Sequence, residues 1–370
     1  MARGYLERVL LGEERGTFSW GIRFLLGPLA LVYRVGLTAY LALYWVGLRK
    51  RYRLPTAVIS VGNLTFGGTG KTPTVQAICR MLQQMGKKVA VLSRGYGGAS
   101  SDCVIVSDGA KVWADAAECG DEPVLLAKGL PGIPVIVGKN RRRTGELACS
   151  RFCPDVIILD DGLQYWQLHR DLDIVVVDAA RPFGSGFLMP IGDLREPIGG
   201  LKRAGVILIN NSDSISLTEE TVRRVRELVG DALIVRARPV PATLYVVEHD
   251  RYLELKWLAG KKIAAFCGIG RPGSFLQALE SLGASVEIFI EFSDHHRYTR
   301  EELHSIEENS VRCGVEAIVT TEKDWARLGD NAQIRNLYVL GIRLEIEEIE
   351  QLAEHISNRI NRASKAIAAS

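Results

Sequence analysis

Through residue 210 the chain alternates short apolar runs with longer amphipathic stretches. The runs are TAVISVG (56–62), KKVAVLS (87–93), IPVIVG (133–138), DVIILDD (155–161), LDIVVVD (172–178) and AGVILIN (204–210). Each is nearly continuous in apolar, β-branched residues, the pattern of a parallel strand covered on both faces. Between the first two lies a helical pattern from Thr72 to Met85, ended by Gly86. The alternation predicts a doubly wound α/β domain over 54–235.

The texture changes at ALIVRARPVPATLYVVE (232–248), two strand-like runs broken by Pro239 and Pro241. Those prolines suit a connector, taken as 236–248. A smaller α/β unit follows over 249–335: KKIAAFCG, a helix from Pro272 to Leu282, SVEIFIEF, a helix from Arg300 to Arg312, then EAIVTTEKD. NLYVLGIRLEI (336–346) reads as a strand returning through the connector. Glu347–Asn361 reads as a helix packing back on the first domain, so 336–370 forms a closing segment.

The first 53 residues differ from all of this. Phe24–Leu48 is apolar except for Arg34, long enough to span a bilayer, although a central Arg is costly there. Arg23 and Arg34, eleven apart, point the same way on a helix, with Thr38 close to that face. That suits a membrane-associated helix lying in the interface, with Tyr40, Tyr44 and Trp45 at headgroup level. Pro28 falls in its first turn or kinks it. A buried core helix is the alternative.

Charge sharpens the division. Residues 1–53 carry nine Lys/Arg against three Glu, a net +6, so the total of +3 leaves −3 on the remainder. Basic character confined to one end argues against a nucleic-acid partner. Arg49-Lys50-Arg51-Tyr52-Arg53 instead favours anionic lipid on the cytoplasmic side. The seven cysteines form no C-x-x-C pair, and their odd number suggests reduced thiols in the cytosol.

Chemistry concentrates after the strands. GNLTFGGTGKTP (62–73) follows the first apolar run and opens the first helix. Leu64, Thr65, Phe66, Gly67, Gly68, Thr69 and Gly70 would form a phosphate-cradling loop, with Lys71 on the β/γ oxygens and Thr72 on Mg²⁺. The pattern G-x-x-x-x-G-K-[ST] would put a glycine at position 65, where Thr65 stands; Gly62 upstream is read as the compensation. Asp160-Asp161, ending a strand, is a second magnesium-facing element, with Asp178 a competitor. Together these predict a P-loop NTPase-like fold: a doubly wound parallel sheet, a smaller second α/β domain on a two-strand connector, and the N-terminal helix.

Arg94 and Tyr96 (SRGYGG), Arg141 (VGKNR), Arg195 and Glu196 (GDLREP) follow predicted strands and suit ligand contacts. Asp121 and Glu122 (ECGDEP) taken alone read as an acidic helix start, and Asp294-His295-His296 (FSDHH) as surface residues. FCGIGRPG contains Gly268-x-Gly270-x-x-Gly273, formally a dinucleotide fingerprint, with Glu287 and Glu291 near the ribose distance. Two rival readings therefore stand: a membrane-associated ATPase switch, and a nicotinamide-dependent oxidoreductase.

In combination and in order, GNLTFGGTGKTP, SRGYGG, GDEP, VGKNR, DDGLQ, RPFGSGFLMPIGDLREP, AFCGIGRP, FSDHH and TTEKD resemble the tetraacyldisaccharide 4′-kinase family, the lipid A 4′-kinases of Gram-negative bacteria. GNLxxGGxGKT is that family's version of the loop, so Thr65 conforms to it. The resemblance implies ATP as donor and Mg²⁺ as cofactor. It implies a tetraacylated glucosamine disaccharide 1-phosphate as acceptor, lipid IVA as product, and a place on the cytoplasmic face of the inner membrane. It makes Asp121 the base, pairs His295 with it from the second domain, and gives Lys71 charge neutralisation at the γ-phosphate. Catalysis split between domains implies closure on ATP. No obligate protein partner is evident.

Overall fold

The computed structural model describes residues 5–10, 12, 14, 16–99, 103–212, 215–328 and 334–369. Among these residues, thirteen strands make one sheet. They are β1 Ala57–Gly62, β2 Val89–Ser93, β3 Val104–Asp108, β4 Pro134–Val137, β5 Val156–Asp160, β6 Leu172–Asp178, β7 Val206–Asn210, β8 Leu233–Val246, β9 Arg251–Leu253, β10 Lys262–Cys267, β11 Ser285–Glu291, β12 Ala317–Thr321 and β13 Leu337–Ile346. Their order is β11-β10-β12-β13-β8-β7-β6-β1-β5-β2-β4-β3, with β9 beside β8.

All six apolar runs are strands, and their pairing is parallel from β7 through to β4. β3, not anticipated from the pattern, closes that edge antiparallel to β4. β1, β2, β5, β6 and β7 are buried at every position. Alternate side chains feed opposite layers, as a pleated strand requires. Ile59 and Val61 join Val75, Ile78 and Leu82 of the helix Lys71–Gln84, while Val58 packs with Leu54 and Ala148 on the other face. The final helix, Ile349–Ala368, returns to the first layer through Leu352, Ile356, Ile360 and Ala363.

The connector departs from expectation in an instructive way. The two runs around Pro239 and Pro241 are one continuous fourteen-residue strand, β8. Its first half pairs with β7 and its last residues with β9, while β13 runs antiparallel along most of its other side. Pro239 and Pro241 lie between the β7 and β9 contacts, where β8 has a neighbour on one side only. A missing N–H is harmless at such a local edge.

The N-terminal helix runs Thr17–Trp45, 29 residues, so Pro28 is well inside it and not in its first turn. At 1.5 Å per residue it is about 43 Å long. It is one helix long and apolar enough to cross a membrane, and only 11% of its most apolar window is buried, which excludes a core helix. Phe24, Leu25 and Val32 are 87%, 78% and 69% exposed. Arg23, in contrast, is buried: it donates to the Val9 carbonyl and lies over the Phe187 ring. Tyr33 donates its hydroxyl to the Arg195 carbonyl at 2.6 Å, tying the helix to the segment beside the loop.

Gly62 ends β1 and faces Leu163; a Cβ there would stand 2.5 Å from the Leu163 Cβ. Its role is close packing of strand against loop, not compensation for a glycine missing at position 65. Gly62→Ala should therefore cost about 1–3 kcal/mol by overpacking, measured as a lower midpoint in urea unfolding with an unchanged slope.

Candidate active site

β1 and β5 are neighbours with Val61 opposite Asp160, so the loop after β1 and the aspartates after β5 leave the sheet side by side. In open α/β sheets this is where ligands bind. The loop has two halves. Leu64–Phe66 run extended against 193–195: the Phe66 N–H donates to the Asp193 carbonyl and the Arg195 N–H to the Leu64 carbonyl, both at 2.8 Å. Thr65 pairs with Leu194 in this bridge, which is why no glycine is needed there.

The second half turns. Gly67 (φ 104°) and Gly70 (φ 90°) adopt conformations closed to other residues at little cost, and a Cβ on Gly70 would lie 2.0 Å from the Asn210 side chain. Asn210, at the end of β7, donates to the Thr69 carbonyl at 2.9 Å. Asn63 donates to the Thr69 hydroxyl at 2.9 Å and accepts from Lys71 Nζ at 3.2 Å. The helix Lys71–Gln84 then starts with unpaired backbone N–H groups aimed at the loop, a ready anion site.

The aspartates divide. Asp161, in the left-handed region at φ 51°, receives Arg195 on both oxygens at 2.8 Å and has Lys71 at 3.8 Å. Burial opposes its charge, but Lys71 and Arg195 outweigh it and hold the carboxyl below the usual range. Asp160 is 1% exposed, and its Oδ2 accepts from Ser93 at 2.8 Å while Oδ1 has no partner. Burial, with Glu122 and Asp161 adding negative charge, pushes it up to about 7. An orphaned buried carboxylate oxygen among like charges fits a cation ligand. Thr72 is buried at the start of the helix after the loop.

Across a cleft of about 750 Å³ stand residues from beyond β10. Loop residues 65–70 line one wall; Ile269–Arg271, Asp294 and Lys323 line the other. Two contacts bridge it. Asp178, at the end of β6, is paired with Arg271 and Asn211, so it is committed to a structural contact. Asp121, first residue of the helix Asp121–Gly129, lies 3.4 Å from His295 Nδ1 and accepts from Arg327 Nε at 2.8 Å. His295 is held in the left-handed region at φ 60°, which turns its ring toward Asp121.

The pattern of the tetraacyldisaccharide-1-P 4′-kinase family matches residues 22–361. The chain belongs to this family. Among its relatives, a tetraacyldisaccharide 4′-kinase of Syntrophus aciditrophicus is 44% identical over 325 residues, covering 85% of this chain and 86% of the relative. Another, from Anaeromyxobacter sp. (strain Fw109-5), is 39% identical over 364 residues, covering 97% and 96%. Among solved structures, an LpxK from Aquifex aeolicus in complex with ATP superposes with a TM-score of 0.76 at 31% identity, over 92% of this chain and 99% of that one.

Within this 4′-kinase fold, the residues expected from sequence fall into three groups. Lys71, Thr72, Asp160, Asp161 and Arg195 converge on the loop, with Phe66 under the Arg195 guanidinium at 4.7 Å. Arg141 is 3% exposed, close enough to both aspartates to feel their charge, and its Nε has no partner. Arg94 and Tyr96 are exposed, Tyr96 by 82%, and neither lines the cleft. Glu196 is buried and committed to Arg203 and Gln164 at 2.6–2.8 Å, so it braces the site. The fingerprint at Gly268 serves packing: its N–H donates to Asp324, and a Cβ would lie 2.9 Å from the Ser293 carbonyl.

Asn63, Ser93, Asn210, Arg271 and Arg327 were not foreseen. Asn63 and Asn210 sit at strand ends, a usable signal; Arg327 follows TTEKD by three residues and carries no motif of its own.

The hydrogen bond that the ring donates to Asp121 raises the His295 imidazole above its ordinary 6.5, against partial burial. The stabilisation from this pair is therefore complete below 6.5 and is lost as pH rises through the raised value. The NMR titration midpoint of His295 should lie above 6.5 in the wild type and fall in Asp121→Asn.

Proposed function

We propose that this chain transfers the γ-phosphoryl group of ATP to the 4′-hydroxyl of a tetraacylated glucosamine disaccharide 1-phosphate, forming lipid IVA and ADP. The meeting of Asp121 and His295 across the two domains carries the reading of mechanism, since a carboxylate paired with an imidazole can take up a proton in a fold that also carries a phosphate-cradling loop. The hydroxyl proton passes to Asp121, with His295 sharing it. The oxygen then bonds to the γ-phosphorus as the bond to the β–γ bridging oxygen breaks. Lys71 and the N-terminal backbone amides of its helix stabilise the charge shifted onto the leaving diphosphate.

Magnesium, when bound, would neutralise phosphate charge, and Thr72, Asp160 and Asp161 would hold it. Asp160 is the stronger ligand, because both Asp161 oxygens already receive Arg195. Among the described residues no cluster of three His, Cys, Asp or Glu could hold a metal alone. That suits a cation that completes its shell with substrate phosphates and water. Arg141, with an unpartnered buried Nε, is a phosphate contact; the exposed Arg94 and Tyr96 meet the acceptor.

The exposed apolar face of Thr17–Trp45 seats the protein on the cytoplasmic face of the inner membrane, where a tetraacylated acceptor is held. Tyr33 then links the bilayer-facing helix to Arg195 and the loop. Residues 54–235 form the kinase core and 249–335 a lid that closes on ATP around β8 and β13.

The direct test is transfer of labelled γ-phosphate from Mg-ATP to detergent-dispersed tetraacyl disaccharide 1-phosphate. Wild type should label the lipid, and Asp121→Ala should lose ~10²-fold or more, the range for a removed general base. Acceptor-independent ATP hydrolysis unaffected by the substitution would instead indicate an ATPase switch.

A further inference from the structure

The Asp121–His295 pair is not self-supporting. Its 3.4 Å separation is long for a hydrogen bond, and the two residues come from segments 174 positions apart. A third side chain, Arg327 on the helix Glu322–Leu328, reaches both of them. Nε donates to Asp121 Oδ2 at 2.8 Å, and Nη2 lies 3.3 Å from His295 Nδ1.

The guanidinium is rigidly mounted. It is 4% exposed, and Nη1 donates to the Gly268 carbonyl at 2.7 Å and to Asp324 Oδ1 at 3.1 Å. Asp324 is itself fully buried and accepts from the Gly268 N–H, the Tyr298 hydroxyl and the Thr321 hydroxyl at 2.6–3.0 Å. Two of Arg327's donor directions are thus spent on its own helix and on the loop after β10. Of the three that remain, Nε–H serves Asp121 in the core and Nη2 lies beside His295.

We propose that Arg327 is a positioning residue for phosphoryl transfer, holding the Asp121 carboxylate and the His295 ring in one arrangement through the proton's movement. This rests on the reading of Asp121 as the base. His295 Nδ1 lies within reach of both a carboxylate that only accepts and a guanidinium that only donates. With its proton on Nδ1, the ring donates to Asp121. Without that proton, Nδ1 accepts from Arg327. Either way the ring has a partner in the same orientation, so the proton can leave or arrive without the imidazole turning.

Arg327 also acts electrostatically. Burial raises Asp121, and His295 and Arg327 more than offset it, holding the carboxyl below the ordinary range. Around His295, Asp121 and Asp294 favour the charged ring, while Arg327 and Lys323 oppose it. Removing the guanidinium therefore lets the base titrate at higher pH as well as move.

The experiment compares wild type, Arg327→Met, Arg327→Lys and Asp121→Ala as full-length protein in detergent, by transfer assay across acid to neutral pH. Thermal unfolding checks that each variant folds. In Arg327→Met, kcat should fall by ~10²-fold, the cost of a misplaced catalytic group. The KM for ATP should be unchanged, and the acid limb of kcat/KM should move to higher pH. Arg327→Lys, keeping one donor and the charge, should show a smaller loss and a smaller shift. A merely structural role would lower the active fraction and leave the acid limb in place, and that result overturns the proposal. So does a wild-type rate in Arg327→Met, or in Arg327→Lys should the Met variant fail to fold. If Asp121→Ala stays active, the assignment of the base fails; if it is dead while Arg327→Met stays active, only the role of Arg327 fails.

Discussion

Everything at this site depends on one long antiparallel pairing, β8 against β13. β8 continues the core sheet from β7 and passes, paired with β13 on both sides of one bulge, into the smaller sheet. Because a strand is stiff along its axis, that pair sets where β10 and β12 stand relative to the loop after β1. Asp324 and Arg327 follow β12 on the helix Glu322–Leu328, and His295 follows β11, which pairs with β10. A change in the β8–β13 register would move them by the spacing of a residue and flip alternate side chains to the other face.

The bulge between Gly341 and Ile342 sits in this pairing, and Gly341 has the Thr243 hydroxyl 2.1 Å from where a Cβ would be. The connector is thus kinked at a position only glycine fits, next to Glu322 at the start of the helix that carries Arg327. Asp178–Arg271 spans the cleft on the loop side and Asp121–Arg327 on the other, so the two halves are tied at two points by charged pairs.

Within the core, the loop is held by polar contacts rather than by packing. Asn63, Thr69, Asn210 and Lys71 form a chain of hydrogen bonds under the turn, while Gly67 and Gly68 have nothing near where a Cβ would stand. The floor is rigid and the mouth is open, which is what a ligand-facing anion cradle requires. The N-terminal helix reaches the same place from outside through Tyr33 and Arg195, joining its exposed apolar surface to the carboxylate Asp161.

Much of this was legible in the chain itself, because local physics decides it. Apolar runs buried on both faces must be parallel strands, glycines at 67 and 70 supply a turn only they tolerate, and a 29-residue apolar helix has few places to go. The order of motifs carried the family. Tertiary structure decided the rest. β8 became one strand despite two prolines, because only the pairing reveals that its outer edge is free there. Thr65 stands where the general pattern has a glycine because a bridge to Leu194 extends that half of the loop. Glu196 turned inward to Arg203, and Asp178 to Arg271. Arg327 entered the site from 206 positions away in sequence. Ion pairs and hydrogen bonds between distant segments leave no periodicity behind, so their partners are set only when the sheet brings them within three ångströms.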